Sequence, residues 1–276
     1  MLNQNPPPNE SGAPSASPVP TTTTSPSSSA NSGATTDSPN PADAVIRAAH
    51  NKPSQWKAVP DLTTSCAWTN ARKIFWGILS RRLTERGETW VKDDFNTLVI
   101  PHLIRYALGD PSGPYELHKG ICLFGPAGRG KSLLLASLCE FQRDIEKALG
   151  VTAEYRRQGR FQQLLNVADQ LRLTEDVKTF AAFKTGVWYL DDLGTESTRV
   201  NVYGTWYDVI EEITLRTHLH WEKTGKPFHL TMNLNPKSPK FDKAYDARIA
   251  RRVRQVCNLV YLGGEPKGGA LHLDAE

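Results

Sequence analysis

The rhythm of apolar and polar positions changes along the chain, and each change predicts an element. No hydrophobic period runs through the segment from Met1 to Ala42. Between Trp68 and Arg86, Ile74, Phe75, Ile78, Leu79 and Leu83 recur close to a 3.6-residue spacing, which predicts an amphipathic helix. The same stretch carries Arg72, Lys73, Arg81, Arg82 and Arg86. A helix of this kind either docks DNA or a partner protein, or packs on a core with its basic face in solvent. Asp93 or Asp94 caps a second helix that ends before Gly109, and Pro101 inside it predicts a kink or a break. Gly109 to Pro114 is then a loop.

From Lys119 onward, short apolar runs alternate with longer helical patterns. Lys119 to Phe124 reads as a buried strand, and Leu133 opens a long apolar helix. Further strands are expected at Val151 to Arg157, Val187 to Leu190, Phe228 to Met232 and Asn258 to Leu262. Helices are expected at Phe161 to Leu173 and Asn201 to Lys223. This alternation implies an α/β fold with a mostly parallel five-stranded sheet and helices on both faces.

Composition separates the start of the chain from the rest. Met1 to Ala42 contains no Lys or Arg and is dominated by Pro, Ser, Thr, Asn and Ala. Such a segment buries too little apolar surface to offset the entropy of ordering, so a disordered tail is expected. It lacks the basic start and apolar centre of a signal peptide. No apolar run approaches the roughly 20 residues of a membrane span, so a cytoplasmic protein with no membrane partner is expected. The net charge is +4, and the tail adds only the acids Glu10 and Asp37, so the remainder is more basic than the whole. That balance suits nucleic acid as well as an ordinary solvated surface. Cys66, Cys122, Cys139 and Cys257 form no C-x-x-C pair, which speaks against zinc or a disulfide framework. His218 and His220 stand two apart, a spacing that does not share a helix face.

Between the first strand and its helix stands Gly125-Pro126-Ala127-Gly128-Arg129-Gly130-Lys131-Ser132, followed by Leu133. This is the G-x-x-x-x-G-K-S pattern of a phosphate-binding loop. Its glycines let backbone N–H groups converge on phosphate oxygens; Lys131 reaches the β- and γ-phosphates of ATP, and Ser132 ligates Mg²⁺. The apolar run Val187-Trp188-Tyr189-Leu190 delivers Asp191 and Asp192 at the carboxyl edge of a sheet, where ligands bind. Asp191 is expected to hold Mg²⁺, directly or through water, and Asp192 to orient the attacking water. Asn233 ends the next strand and either hydrogen-bonds that water or the γ-phosphate, or starts a turn before Pro236. Arg248 and Arg252 are four apart on a helical segment and project from one face. They suit the γ-phosphate of a neighbouring subunit, DNA, or a basic solvated face.

In this order, G-P-A-G-R-G-K-S, Y-L-D-D-L-G-T-E, T-M-N-L-N and Y-D-A-R-I-A-R-R-V resemble the AAA+ ATPases of the DnaC/IstB group, which contains replicative helicase loaders and transposition ATPases. The resemblance covers about Leu117 to Lys267. It implies a P-loop NTPase of the AAA+ type, with Lys131 and Ser132 as the Walker-A pair and Asp191 as the Walker-B acid. It also implies Asn233 as first sensor, Arg252 as arginine finger with Arg248 as companion, and Lys267 in place of the second-sensor arginine. Together with the composition and the hydrophobic rhythm, the expected organisation is a tail (1–50), a helical region for partner or DNA docking (51–115) and an ATPase core (116–276). The implied function is ATP hydrolysis in an oligomer with shared sites that places a DnaB-like helicase on single-stranded DNA. Two alternatives stand beside it: an IstB-like transposition ATPase on duplex DNA, and an adaptor that uses ATP as a switch with little turnover.

Overall fold

The computed structural model describes residues 65–91, 94–148, 159–194 and 199–263. The tail, the strand expected at 151–157 and Lys267 lie outside these residues.

Two helices precede the sheet, α1 (Ser65–Thr84) and α2 (Asp94–Ala107). On α1, Ala71, Phe75, Ile78, Leu79 and Leu83 are buried, while Ile74 stays exposed. The helix α2 runs through Pro101 with no break in its assignment. An interior proline costs a helix about 3 kcal/mol. Against this stand Val99, Ile100, Leu103, Ile104 and Ala107, all buried, at about 1.5–3 kcal/mol for each large side chain. The packed stripe outweighs the lost backbone bond.

The sheet follows: β1 (Gly120–Phe124), α3 (Lys131–Ala148), β2 (Gly159–Gln163), α4 (Leu164–Thr174), a 3₁₀ segment (Val177–Lys184) and β3 (Val187–Leu193). Then come β4 (Arg199–Val202), β5 (Thr205–Asp208), α5 (Val209–Thr224), β6 (Phe228–Met232), α6 (Pro239–Ala244), α7 (Ala247–Val256) and β7 (Cys257–Tyr261). The main sheet has the order β2-β3-β6-β1-β7, with every neighbouring pair parallel. This is the expected α/β architecture, a parallel five-stranded sheet flanked by helices. Along β1, Ile121 and Leu123 join the apolar layer of α1, α2 and α3, while Cys122 and Phe124 join the layer of α4, α5 and α7.

The helix α1 packs on the loop-bearing helix α3. Phe75 meets Phe141 edge-on at 5.4 Å. Arg82 forks onto Glu140 of α3 through Nη2 (2.8 Å) and Nε (3.0 Å), and Arg81 pairs with the same carboxylate. Two of the basic residues therefore tie α1 down, while Arg72 and Lys73 remain exposed.

Two expectations are corrected. The stretch 161–163, expected to begin a helix, completes strand β2, and α4 starts at Leu164. Among the described residues β2 pairs with β3 at the sheet edge, and its mostly polar side chains are exposed or half-buried on both faces, which leaves no apolar run to mark a strand. The helix expected from Asn201 starts at Val209, after a β4–β5 hairpin. Tyr203 and Gly204 take positive φ (47° and 83°) in its turn, a local geometry that overrides helical spacing. Asp208 then caps α5, its carboxylate accepting from the N–H groups of Ile210 (3.0 Å) and Glu211 (3.1 Å).

Candidate functional site: a phosphate-binding cavity

The strands β1, β6 and β3 lie side by side, and their carboxyl ends deliver the loop, Asn233 and the two aspartates to one place. A cavity of about 340 Å³ is lined by Ala127, Gly128, Arg129, Gly130, Lys131, Ser132, Leu133, Asp192, Asn233 and Arg86.

The loop leaves β1 at Gly125, whose φ is 142°. A Cβ there would stand 2.2 Å from the carbonyl oxygen of Leu262, so glycine is needed where the turn presses against the strand that follows α7. Lys131 opens α3 and is buried; its Nζ donates to the carbonyl oxygens of Gly125 (2.9 Å) and Pro126 (2.7 Å). Burial pushes the ammonium below the usual lysine range, Asp192 and Asp191 pull it back up, and Arg129 pushes it down again.

The two aspartates differ. Asp191 is 1% exposed, and its Oδ1 accepts from Thr231 Oγ1 at 2.7 Å. Thr231 Oγ1 in turn accepts from the Asp192 N–H at 2.8 Å. The β3–β6 register shifts between Leu190 and Leu193, and Asp192 takes φ 59°, a left-handed conformation that aspartate tolerates better than most side chains. The bulge turns Asp192 toward the cavity, while Asp191 stays buried and is not among the lining residues. Burial first, then Asp191, raises the Asp192 carboxyl above the usual range, with Lys131 opposing. The strand ends at Gly194 with φ 90°; a Cβ there would overlap the Tyr245 hydroxyl at 1.3 Å, so the glycine after D-D-L seats the turn against the α6–α7 junction.

The arginines expected from a neighbour lie elsewhere. Arg248 is mostly exposed on α7 and bonds Asp246 (3.0 and 3.1 Å) and Glu211 (3.4 Å). Arg252 is partly buried one turn further on, near His218, whose imidazole it helps hold below the usual histidine range behind the larger effect of burial. Neither lines the cavity of its own chain.

Two contributors were missed in the sequence. Arg86 reaches the cavity from the turn after α1. In the sequence it looks like one more charge on a basic helix. Thr231 links both aspartates; a hydroxyl inside an apolar strand two residues before Asn233 is the available signal.

The donor set fits a polyphosphate with a hard divalent cation. Cationic side chains and loop N–H groups face hydroxyl, carboxylate and amide oxygens, which is the ligand chemistry that Mg²⁺ and phosphate require. Lys131 and the loop could hold phosphate oxygens, and Ser132 with Asp191 or Asp192 could hold the metal.

No protein-family model matches the chain, and no curated protein matches it. Solved structures are similar to it. One is DnaI, at 20% identity over 71% of this chain and 93% of that chain, with a TM-score of 0.44. Another is the DnaC helicase loader, at 17% identity over 69% of this chain and 99% of that chain, with a TM-score of 0.47. A third is AMPPCP-bound DnaA from Aquifex aeolicus, at 15% identity over 64% of this chain and 50% of that chain, with a TM-score of 0.43. Among the described residues no helix is long and apolar enough to cross a membrane.

Proposed function

We propose that this chain is an AAA+ ATPase of DNA replication that binds ATP with Mg²⁺, hydrolyses it slowly, and helps place a DnaB-like helicase on single-stranded DNA. The observation that supports nucleotide hydrolysis is the convergence of Lys131, Ser132, Asp192 and Asn233 on one cavity, with Asp191 buried beside them. The replication and helicase role is supported by the order of the four sequence motifs.

In this reading Lys131 exchanges the carbonyl oxygens of Gly125 and Pro126 for phosphate oxygens, trading neutral acceptors for stronger charged ones. The loop N–H groups complete the cradle. Ser132 and Asp191 hold Mg²⁺, which when bound neutralises charge on the β- and γ-phosphates. Asp192 orients the attacking water and takes its proton; its raised pKa makes it a stronger base than an ordinary aspartate. Asn233 positions that water or the γ-phosphate. Arg252 of one subunit, accompanied by Arg248, completes the site of the next, and Lys267 serves as second sensor. Residues 51–115 dock the partner, and 116–276 form the ATPase core.

The test is ATP hydrolysis with and without single-stranded DNA, at stated ionic strength, for wild type and Lys131→Ala. Wild-type turnover above the variant's background, raised by single strands, is expected. Wild-type activity at that background in every condition refutes the enzyme. Capture of the host's replicative helicase, with and without ATP, tests the loader role. Failure of capture together with tighter binding to duplex favours a transposition ATPase.

One observation favours a second reading, an ATP-switched adaptor. Asp192 is a short carboxylate held on a strained bulge, farther from the water than a glutamate. On this reading Asp192→Glu raises single-turnover hydrolysis several-fold at unchanged nucleotide affinity, and an equal or lower rate counts against it.

A further inference from the structure

Arg129 sits within the loop between Gly128 and Gly130, both at positive φ (74° and 77°), so the backbone fixes where its side chain begins. The residue is 9% exposed and lines the cavity beside Lys131, Ser132 and Asp192. Its Nε and Nη1 are buried, and neither has a hydrogen-bond partner among the described residues. This differs from several half-buried arginines of the fold. Arg82 forks onto Glu140, Arg216 onto Glu212, and Arg254 reaches Asp242 and the Pro236 carbonyl.

A structural arginine in such a position has a carboxylate or carbonyl to meet its fork, because a buried cation without a partner destabilises the fold. Arg129 has instead a like charge beside it, Lys131. Among the described lining residues, Arg86, Arg129 and Lys131 stand against the single carboxylate Asp192. The cavity therefore carries more positive charge than its own walls neutralise. A guanidinium presents planar paired donors that match two oxygens of one phosphoryl group. The loop motif requires only that residue 129 tolerate the turn, so its side chain is free to carry a function of its own.

We propose that the Arg129 guanidinium is itself a phosphate ligand: it grips phosphoryl oxygens of the bound nucleotide from within the same subunit. This rests on the nucleotide reading above and adds a second cationic side chain to Lys131. The pairing missing in the free protein is supplied by the ligand, so Arg129 trades stability of the free state for affinity.

That trade gives the test two readouts of opposite sign. Nucleotide affinity is measured by titration with a fluorescent ATP analogue and Mg²⁺, and the melting temperature of the free full-length chain is measured separately. Wild type, Arg129→Met, Arg129→Lys and Lys131→Ala are compared. Arg129→Met keeps the length and apolar stem, and it is expected to bind ATP about tenfold to a hundredfold more weakly, the range for a lost charge-assisted bond. The free variant is expected to melt at or above the wild-type temperature. Arg129→Lys keeps charge without the fork and is expected to recover part of the affinity. Unchanged affinity in Arg129→Met overturns the proposal. So does weaker binding accompanied by a lower melting temperature of the free chain, which marks a structural role. Absence of nucleotide binding by wild type sinks the nucleotide reading itself. Binding that Lys131→Ala loses and Arg129→Met retains sinks only the role of Arg129.

Discussion

Arg252→Ala is expected to lower steady-state ATP hydrolysis by about a thousandfold while leaving ATP affinity within a few-fold of wild type. The reason is geometric. Arg252 stands on α7, outside the residues that line its own cavity, so its loss leaves the phosphate cradle intact. What is lost on the proposed reading is a guanidinium delivered from the neighbour to charge that develops only in the transition state. Mixing gives the sharper result. Lys131→Ala chains lack the cradle and keep the arginine; Arg252→Ala chains lack the arginine and keep the cradle. In an equimolar mixture a junction is competent when the right chain stands on each side, so about a quarter of wild-type activity returns. Failure of the mixture to rise above either variant alone overturns the shared site. A fall in affinity as large as the fall in rate assigns Arg252 to structure instead.

Thr231→Val is the second large effect, and it falls on stability as well as on turnover. One hydroxyl donates to Asp191 Oδ1 (2.7 Å) and accepts from the Asp192 N–H (2.8 Å). Valine keeps the shape and removes both bonds, leaving a carboxylate that is 1% exposed without this donor. Leaving a buried charged group short of a partner costs about 3 kcal/mol, which for a domain of this size lowers the melting temperature by roughly 10 °C. The bulge that aims Asp192 loses its tether at the same time, so hydrolysis is expected to fall more than nucleotide affinity. Thr231→Ser restores both bonds and is expected to recover most of the stability and the rate. A Thr231→Val protein that melts within about 2 °C of wild type contradicts this account of the bulge.

These results bear on how much of the site is written locally. The strands β1, β3 and β6 were legible because strands buried on both faces of a parallel sheet are near-continuous apolar runs, here Ile121 to Phe124 and Val187 to Leu190, and the edge strand β7 because Leu259, Val260 and Leu262 keep a short apolar run. The edge strand β2 and the β4–β5 hairpin were not. The side chains of β2 are mostly polar and none is fully buried, and the hairpin turns on positive φ at Tyr203 and Gly204, which a hydrophobic period does not encode. At Pro101 the break does not occur, since local proline chemistry yields to the burial of Ile100, Leu103 and Ile104.

The loop from Gly125 to Ser132 was determined by the sequence alone, because its geometry depends on glycines and a helix start that are contiguous in the chain. The order of the later motifs was determined there too. Only the tertiary structure decided that Asp192 turns to the cavity while Asp191 stays buried, because a register shift against β6 and the Thr231 hydroxyl set that division. It alone brought Arg86 to the cavity and left Arg129 Nε and Nη1 without a hydrogen-bond partner among the described residues, since both facts depend on which groups meet across long separations in the chain. Contiguous backbone geometry can be read from residue order. The charge balance of a cavity exists only once distant walls have closed around it.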